Sequence, residues 1–148
     1  MSKLRLILDS NRLFAALIRQ SLAKNIILNP NFEFFAPDYV FSEIMKHKDY
    51  ILDKSKLLET EFEILFDHLF EKVTIIPFEK IQPYYEDAKK IMDPIDPDDS
   101  VFLALAMCIS NDGIWTGDKD FEKQNIVKVW TTLDLLEYLE KIDWEKEE

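Results

Sequence analysis

Short apolar runs that alternate with stretches of helical periodicity constrain this chain more than any other feature of it. Leu4-Arg5-Leu6-Ile7-Leu8 is nearly continuous apolar sequence, the pattern of a strand covered on both faces in a parallel sheet, and it stops at Asp9. Leu13, Phe14, Leu17 and Ile18 recur at helical spacing between Arg12 and about Lys24, and Phe32 to Ala36 forms a second strand after the turn Asn29-Pro30-Asn31. A helix opens at Pro37-Asp38 and runs to about Lys48. A longer amphipathic one, with Leu57, Leu58, Phe62, Leu65, Phe66 and Leu69, covers about Ser55 to Phe70. Val73-Thr74-Ile75-Ile76 is a third strand, ended by Pro77, and Pro83 suits the first turn of a helix reaching about Ile91. Beyond the acidic loop from Asp93 to Asp98, Val101 to Met107 is apolar all round a helix, the mark of an element buried in the middle of a domain. Ile114-Trp115-Thr116 and Ile126 to Trp130 complete five strands, and a last helix opens at Thr131 or Thr132 with Asp134 in its first turn. This order implies right-handed crossovers in one α/β domain: a parallel sheet in a three-layer sandwich, with helices on both faces.

A length of 148 residues, 47% apolar and 13% aromatic, suits one core, since single cores commonly run to roughly 100–150 residues. One domain over residues 1–144 and an acidic tail, residues 145–148, account for the chain. The apolar content excludes an acidic disordered chain outside that tail, despite 29 acids against 18 bases and a net charge of -11. So negative a balance argues against coating duplex nucleic acid or an anionic membrane by bulk charge, because such binding needs a basic face to displace counterions. Contact with phosphate has to be local or carried by a metal. Two glycines leave no room for a G-x-G-x-x-G or Walker loop. The lone Cys108 excludes an intramolecular disulfide and a Cys-rich zinc site, which fits a reducing compartment, the cytoplasm by default. No stretch approaches the roughly 20 apolar residues that span a bilayer, and Lys3 and Arg5 precede no long apolar run or cleavage site, so neither export nor a membrane partner is expected.

In an open parallel sheet, ligands sit outside the carboxyl ends of the strands, near the point where strand order reverses. Asp9 directly follows the first strand, and Asp118 follows the fourth with one glycine between. Asp99 lies in the first turn of the buried helix with Asp96 and Asp98 just ahead, and Glu43 stands among Val40, Phe41, Ile44 and Met45, where it needs a partner. Singly each acid has an ordinary reading: Asp9 and Asp118 as caps, Asp99 as a helix-start residue, Glu43 as a surface acid paired with Lys46. Capping does not predict four acids at positions the topology brings to one crevice. Converging carboxylates repel, and a divalent cation removes that cost; oxygen-only ligation, with His47 and His68 the only histidines, selects Mg²⁺ or Mn²⁺ over zinc. Phosphodiester hydrolysis is the chemistry such an ion suits.

The opening LILDSNRLFAAL is similar to a strand followed by aspartate and asparagine, FAPDYVFSEIMKH to a helix bearing a glutamate, DPIDPDDSVFLALAM to an aspartate before an alanine-rich buried helix, and IWTGDKDF to a closing T-x-D-x-D-F. In this ordered set, from about Lys3 to Phe121, the chain resembles the PIN-domain ribonuclease family, which includes toxin components of toxin–antitoxin pairs. The resemblance implies a metal-dependent endonuclease acting on single-stranded or structured RNA, with an antitoxin protein as a further partner. It matches Asp9, Glu43, Asp99 and Asp118 to the family's acids and Asp120 to the second acid of the closing motif. Asn11 matches the family's asparagine, Ser10 stands where many relatives carry threonine, and these two with Asp96 and Thr116 are expected to support the ligands from behind. The run Asp96-Pro97-Asp98-Asp99 leaves two registers: Asp99 has the better spacing to Ala104 and Ala106, and Asp96 is second. The expected arrangement has Asp9, Asp99 and Asp118 holding one Mg²⁺ or Mn²⁺, while Glu43 or Asp120 helps hold a second ion or orients the attacking water.

Bases adjoin these acids at Arg12, Arg19, Lys46, Lys48, Lys119 and Lys123, offering a local phosphate rim in which Arg12, Lys46 and Lys119 are the expected substrate contacts. Trp115 and Trp130, in strands, belong to the core. A Ser-His-Asp hydrolase is disfavoured because no G-x-S-x-G turn accompanies Ser10, Ser42 or Ser100. The rival readings are a catalytically silent PIN-fold binding module and a receiver-like Mg²⁺-binding domain, the latter opposed by a third strand that ends in Pro77 rather than an acceptor aspartate. Surplus apolar residues at Phe62, Phe66, Leu69 and Phe70 leave room for a homodimer.

Overall fold

The computed structural model describes residues 3–18 and 22–147, with side chains to Glu145. Five strands, β1 (Leu4–Leu8), β2 (Phe32–Pro37), β3 (Val73–Ile76), β4 (Ile114–Trp115) and β5 (Val129–Trp130), form one wholly parallel sheet in the order β3-β2-β1-β4-β5. The chain steps from β1 outward to β3, then crosses the sheet to β4 on the far side of β1. Right-handed crossovers on the two sides of that reversal place their helices on opposite faces, which makes the three-layer sandwich. Before the reversal come α1 (Ser10–Ile18), α2 (Leu22–Ile27), α3 (Tyr39–Lys46), α4 (Lys48–Ser55) and α5 (Glu59–Phe70); after it come α6 (Phe78–Met92) and α7 (Ser100–Cys108), and α8 (Thr132–Glu147) ends the chain. The reversal lies between β1 and β4, whose carboxyl ends lead into Asp9 and Gly117-Asp118.

The core follows the apolar runs. Leu6, Ile7 and Leu8 are fully buried in β1, while Arg5 is accommodated in the same strand by its register partner Glu33, Nη1 to Oε1 at 2.9 Å. Val101 to Leu105 of α7 are buried against β1, β2 and α6, as an all-apolar helix requires. Phe62 and Leu69 of α5 are buried, and Phe66 and Phe70 stack on each other and on Phe41, with Phe41 and Phe70 centroids 4.8 Å apart. The stripe that left room for a dimer packs largely within the protein.

Several boundaries differ from the periodicity. The helix expected over Arg12 to Lys24 crosses residues 19–21, among them Arg19, which lie outside the described residues; α1 starts at Ser10, two positions early, because Asp9 caps it. The segment expected as two helices around Lys48 to Ser55 contains a third, α4, hidden from pattern reading because Ile51 is its single fully buried residue. Lys56, with φ 60, ends it in the left-handed region. Pro83 does not open a helix but sits inside α6, which starts at Phe78, where Asp38 Oδ2 accepts the Phe78 N–H at 3.3 Å. The fifth strand shrinks to Val129–Trp130 because Gln124 Oε1 accepts the N–H groups of both Ile126 and Val127 at 2.9 Å, so neither pairs with β4. The acidic tail expected from Glu145 is helical through Glu147. No described helix is long and apolar enough to cross a membrane.

Candidate metal centre

Asp9 ends β1 as the N-cap of α1: its carboxylate accepts the Asn11 backbone N–H and, at Oδ2, the Thr116 hydroxyl at 2.5 Å. The same Thr116 oxygen accepts the Asp118 N–H at 2.9 Å, so one side chain after β4 ties the two strand ends together. Asp118 in turn caps the 3₁₀ turn Lys119–Lys123, with Oδ1 accepting the Asp120 N–H at 2.9 Å. Asp96 caps the 3₁₀ turn Pro97–Asp99, with Oδ1 accepting the Asp98 N–H at 3.1 Å, and Pro97 stands at its first position, where no N–H is needed. Asp99 stands at the start of α7 and makes no cap hydrogen bond; it is 7% exposed, and its Oδ2 is buried with no hydrogen-bond partner.

These turns bring Asp96, Asp99, Asp118 and Asp120 together, each offering one carboxylate oxygen, all within 4.8 Å of one another. Crowding shows in the protonation equilibria. Burial, then the adjacent Asp118 carboxylate, then Asp96 and Asp9 push the Asp99 carboxyl up to about 8. Burial also raises Asp9, and the Asp118 charge adds to it, against the opposing hydrogen bonds from Thr116 and Asn11 and the Arg12 charge. An orphaned oxygen on a carboxyl that resists ionisation, set among three other aspartates, is the donor set a hard divalent cation fits: all oxygen, with the mutual repulsion cancelled by the ion.

Asp9 and Glu43 stand outside this group of four; Asp9 feels the Asp118 charge and Glu43 that of Asp9. Glu43 lies half-buried on α3, where the Ser10 hydroxyl donates to its Oε1 at 2.5 Å. Burial raises its carboxyl, the charges of Asp9 and Asp98 raise it further, and Ser10 and His47 oppose them. Asn11 reaches Asp9 through its backbone N–H, and its side chain is exposed. Arg12 turns under the closing loop: Nη1 is 3.5 Å from Thr132 Oγ1, the guanidinium is 5.9 Å from the Trp115 ring centroid, and Nε is buried without a partner. Lys46 and Lys119 are exposed, whereas Lys48 pairs with Glu59 at 2.7 Å and Lys123 with Asp120 at 3.0 Å.

Sequence reasoning set Asp96 against Asp99 as alternatives; the fold brings both into one cluster, because the Asp-Pro-Asp-Asp run closes a single 3₁₀ turn. No sequence motif marks Tyr39, yet after burial the charges of Glu43 and Asp98 both raise its hydroxyl pKa, and its position four residues before Glu43 is the available signal.

A family model described as PIN domain matches residues 7–140. A search of curated proteins gave no match. PIN domains are generally nucleases that bind divalent metal through acidic residues, and the aspartate cluster at the β1/β4 reversal is compatible with such a site. The family match runs from β1 into α8 and takes in every acid of that cluster, so the chain belongs to the PIN-domain family.

Proposed function

We propose that this PIN-domain protein is a Mg²⁺- or Mn²⁺-dependent endoribonuclease that hydrolyses phosphodiester bonds of single-stranded or structured RNA. The observation that carries the reading is Asp99, a buried carboxylate with an unpartnered oxygen among three other aspartates. Asp99 and Asp118 are the central ligands, with Asp96 and Asp120 flanking them and Asp9, fixed by Thr116, adding negative charge beside them. When bound, the ion supplies charge stabilisation at the phosphate and makes water more acidic. Glu43 is the proton acceptor: Ser10 fixes one of its oxygens, and burial shifts its carboxyl toward neutrality, where a general base works best. Lys46 and Lys119 meet the strand's phosphates locally.

The resemblance of the ordered motifs supports RNA as substrate and an antitoxin as regulatory partner. Cys108, a lone thiol contacting the Lys80 carbonyl at 3.3 Å, fits the reducing cytoplasm. The test is cleavage of an end-labelled RNA, with single-stranded DNA in parallel. Cutting should require Mn²⁺ or Mg²⁺, stop with chelator, and fall about 100-fold or more in Asp99→Asn and Asp118→Asn. Undiminished cutting by Asp99→Asn, or in chelator, refutes the reading; cutting confined to DNA refutes its RNA part.

A further inference from the structure

A groove opens where α1 meets α3 and α4, lined by Phe14, Ile18, His47, Tyr50 and Ile51, with a volume of about 220 Å³. Phe14 follows Ser10 by four residues on α1, and His47 follows Glu43 by four at the end of α3. The groove therefore begins one helical turn, about 5.4 Å, beyond the Ser10 to Glu43 hydrogen bond. The Phe14 and His47 rings stand perpendicular with centroids 5.6 Å apart. Tyr50 is 57% exposed, and Lys54 Nζ lies 5.7 Å from its ring centroid.

We propose that this groove is a nucleobase subsite, taking one unpaired base of the RNA strand whose neighbouring phosphate lies at the acids. The proposal rests on the nuclease reading of those acids. Three observations favour a base as occupant. The volume is below the roughly 300–1,000 Å³ of sites for drug-sized molecules, and a partner helix about 10–12 Å across would not enter it, whereas one heteroaromatic ring would. Its walls are aromatic and aliphatic, and base stacking on aromatic side chains tolerates any sequence because every base has a π-face. A chain of net charge -11 gains little from counterion release, so affinity for a single strand has to come from stacking, with Lys54 beside the groove and the exposed Lys46, one residue before His47, for the flanking phosphates.

Binding is measured in chelator, so that no strand is cut, with a fluorescein-labelled single-stranded RNA decamer. Tyr50→Ala, at an exposed position, should raise Kd about tenfold, and Tyr50→Phe should restore it. The His47 ring protons should shift in the NMR spectrum as the decamer is added, and a single abasic nucleotide walked along the decamer should reproduce the loss at one position. Failure of the decamer to bind, equal affinity of wild type and Tyr50→Ala, or unmoved His47 resonances at saturation overturns the proposal. So does a change of oligomeric state in Tyr50→Ala with RNA affinity intact, which assigns the groove to a second copy of the chain. RNA held through Tyr50 and His47 yet never cut with Mn²⁺ upholds the subsite and removes the enzyme, which separates the two failures.

Discussion

At Asp9, Asp96 and Asp118 a carboxylate accepts a backbone N–H at the start of a helical turn, and this capping is what aims the acids at one another. Capping and ligation are not competing roles here: one oxygen of Asp96 and of Asp118 is fixed by the cap, which leaves the second available at no further ordering cost. Thr116 extends the same economy, donating to Asp9 while accepting from Asp118. Thr116→Val keeps the shape and loses both bonds, so Mn²⁺ affinity measured by calorimetry should fall about 10- to 100-fold. Asp99 sets the pH behaviour of the metal-free protein. Its carboxyl is pushed up to about 8 in the folded protein from the 3.8 of an ordinary aspartate, so between those limits the folded state holds the extra proton and stability falls as pH rises. The raised carboxyls of Asp9 and Glu43 act with the same sign. The melting temperature in chelator should drop between pH 5 and pH 8, and Mn²⁺ should recover it more at pH 8 than at pH 5. A flat profile in chelator would show that the acids are not crowded.

The 3₁₀ turn Lys119–Lys123 and the two-residue β5 are short because side chains, not strand pairing, hold the backbone between β4 and α8. Gln124 occupies the N–H groups that would have lengthened β5, and Gly113, at φ 138, lets the chain pass where a Cβ would stand 2.5 Å from the Lys128 carbonyl oxygen. Gly117 is needed for a different reason: a Cβ there would lie 2.1 Å from Arg12 Nη2, so the closing loop rests on a guanidinium. Gly117→Ala should push the Arg12 guanidinium aside at a cost of about 1 kcal/mol or less in urea unfolding, and Arg12→Ala in the same chain should recover most of that cost. Additive losses would place Arg12 elsewhere in solution. None of this was legible in the local pattern. The period-2 and period-3.6 signals report burial of apolar side chains, so β1 and α7 stood out, while α4, with one fully buried residue, and the start of α6 ahead of Pro83 did not.

At the scale of the molecule, a net charge of -11 coexists with a reading as an RNA enzyme only if phosphate contact is confined to a few exposed bases. Lys48 and Lys123 are engaged by Glu59 and Asp120, which leaves Lys46 and Lys119 exposed among the bases that adjoin the acids in sequence, with Lys54 exposed beside Tyr50. Three phosphate contacts, at Lys46, Lys119 and Lys54, predict a slope of log affinity against log salt of about -2.1 for single-stranded RNA, and a slope steeper than about -4 would mean a basic face not seen among the described residues. The sequence by itself determined the α/β class, the five apolar strands, the buried α7 and the acids that end strands or open helices, because each of these is written in residues a few positions apart. Which acids come within reach of a single ion was decided by the tertiary structure alone. Asp96 and Asp99 meet Asp118 and Asp120 because the chain reverses its direction across the sheet between β3 and β4, and that reversal is a property of packing whole layers, beyond the reach of any local spacing.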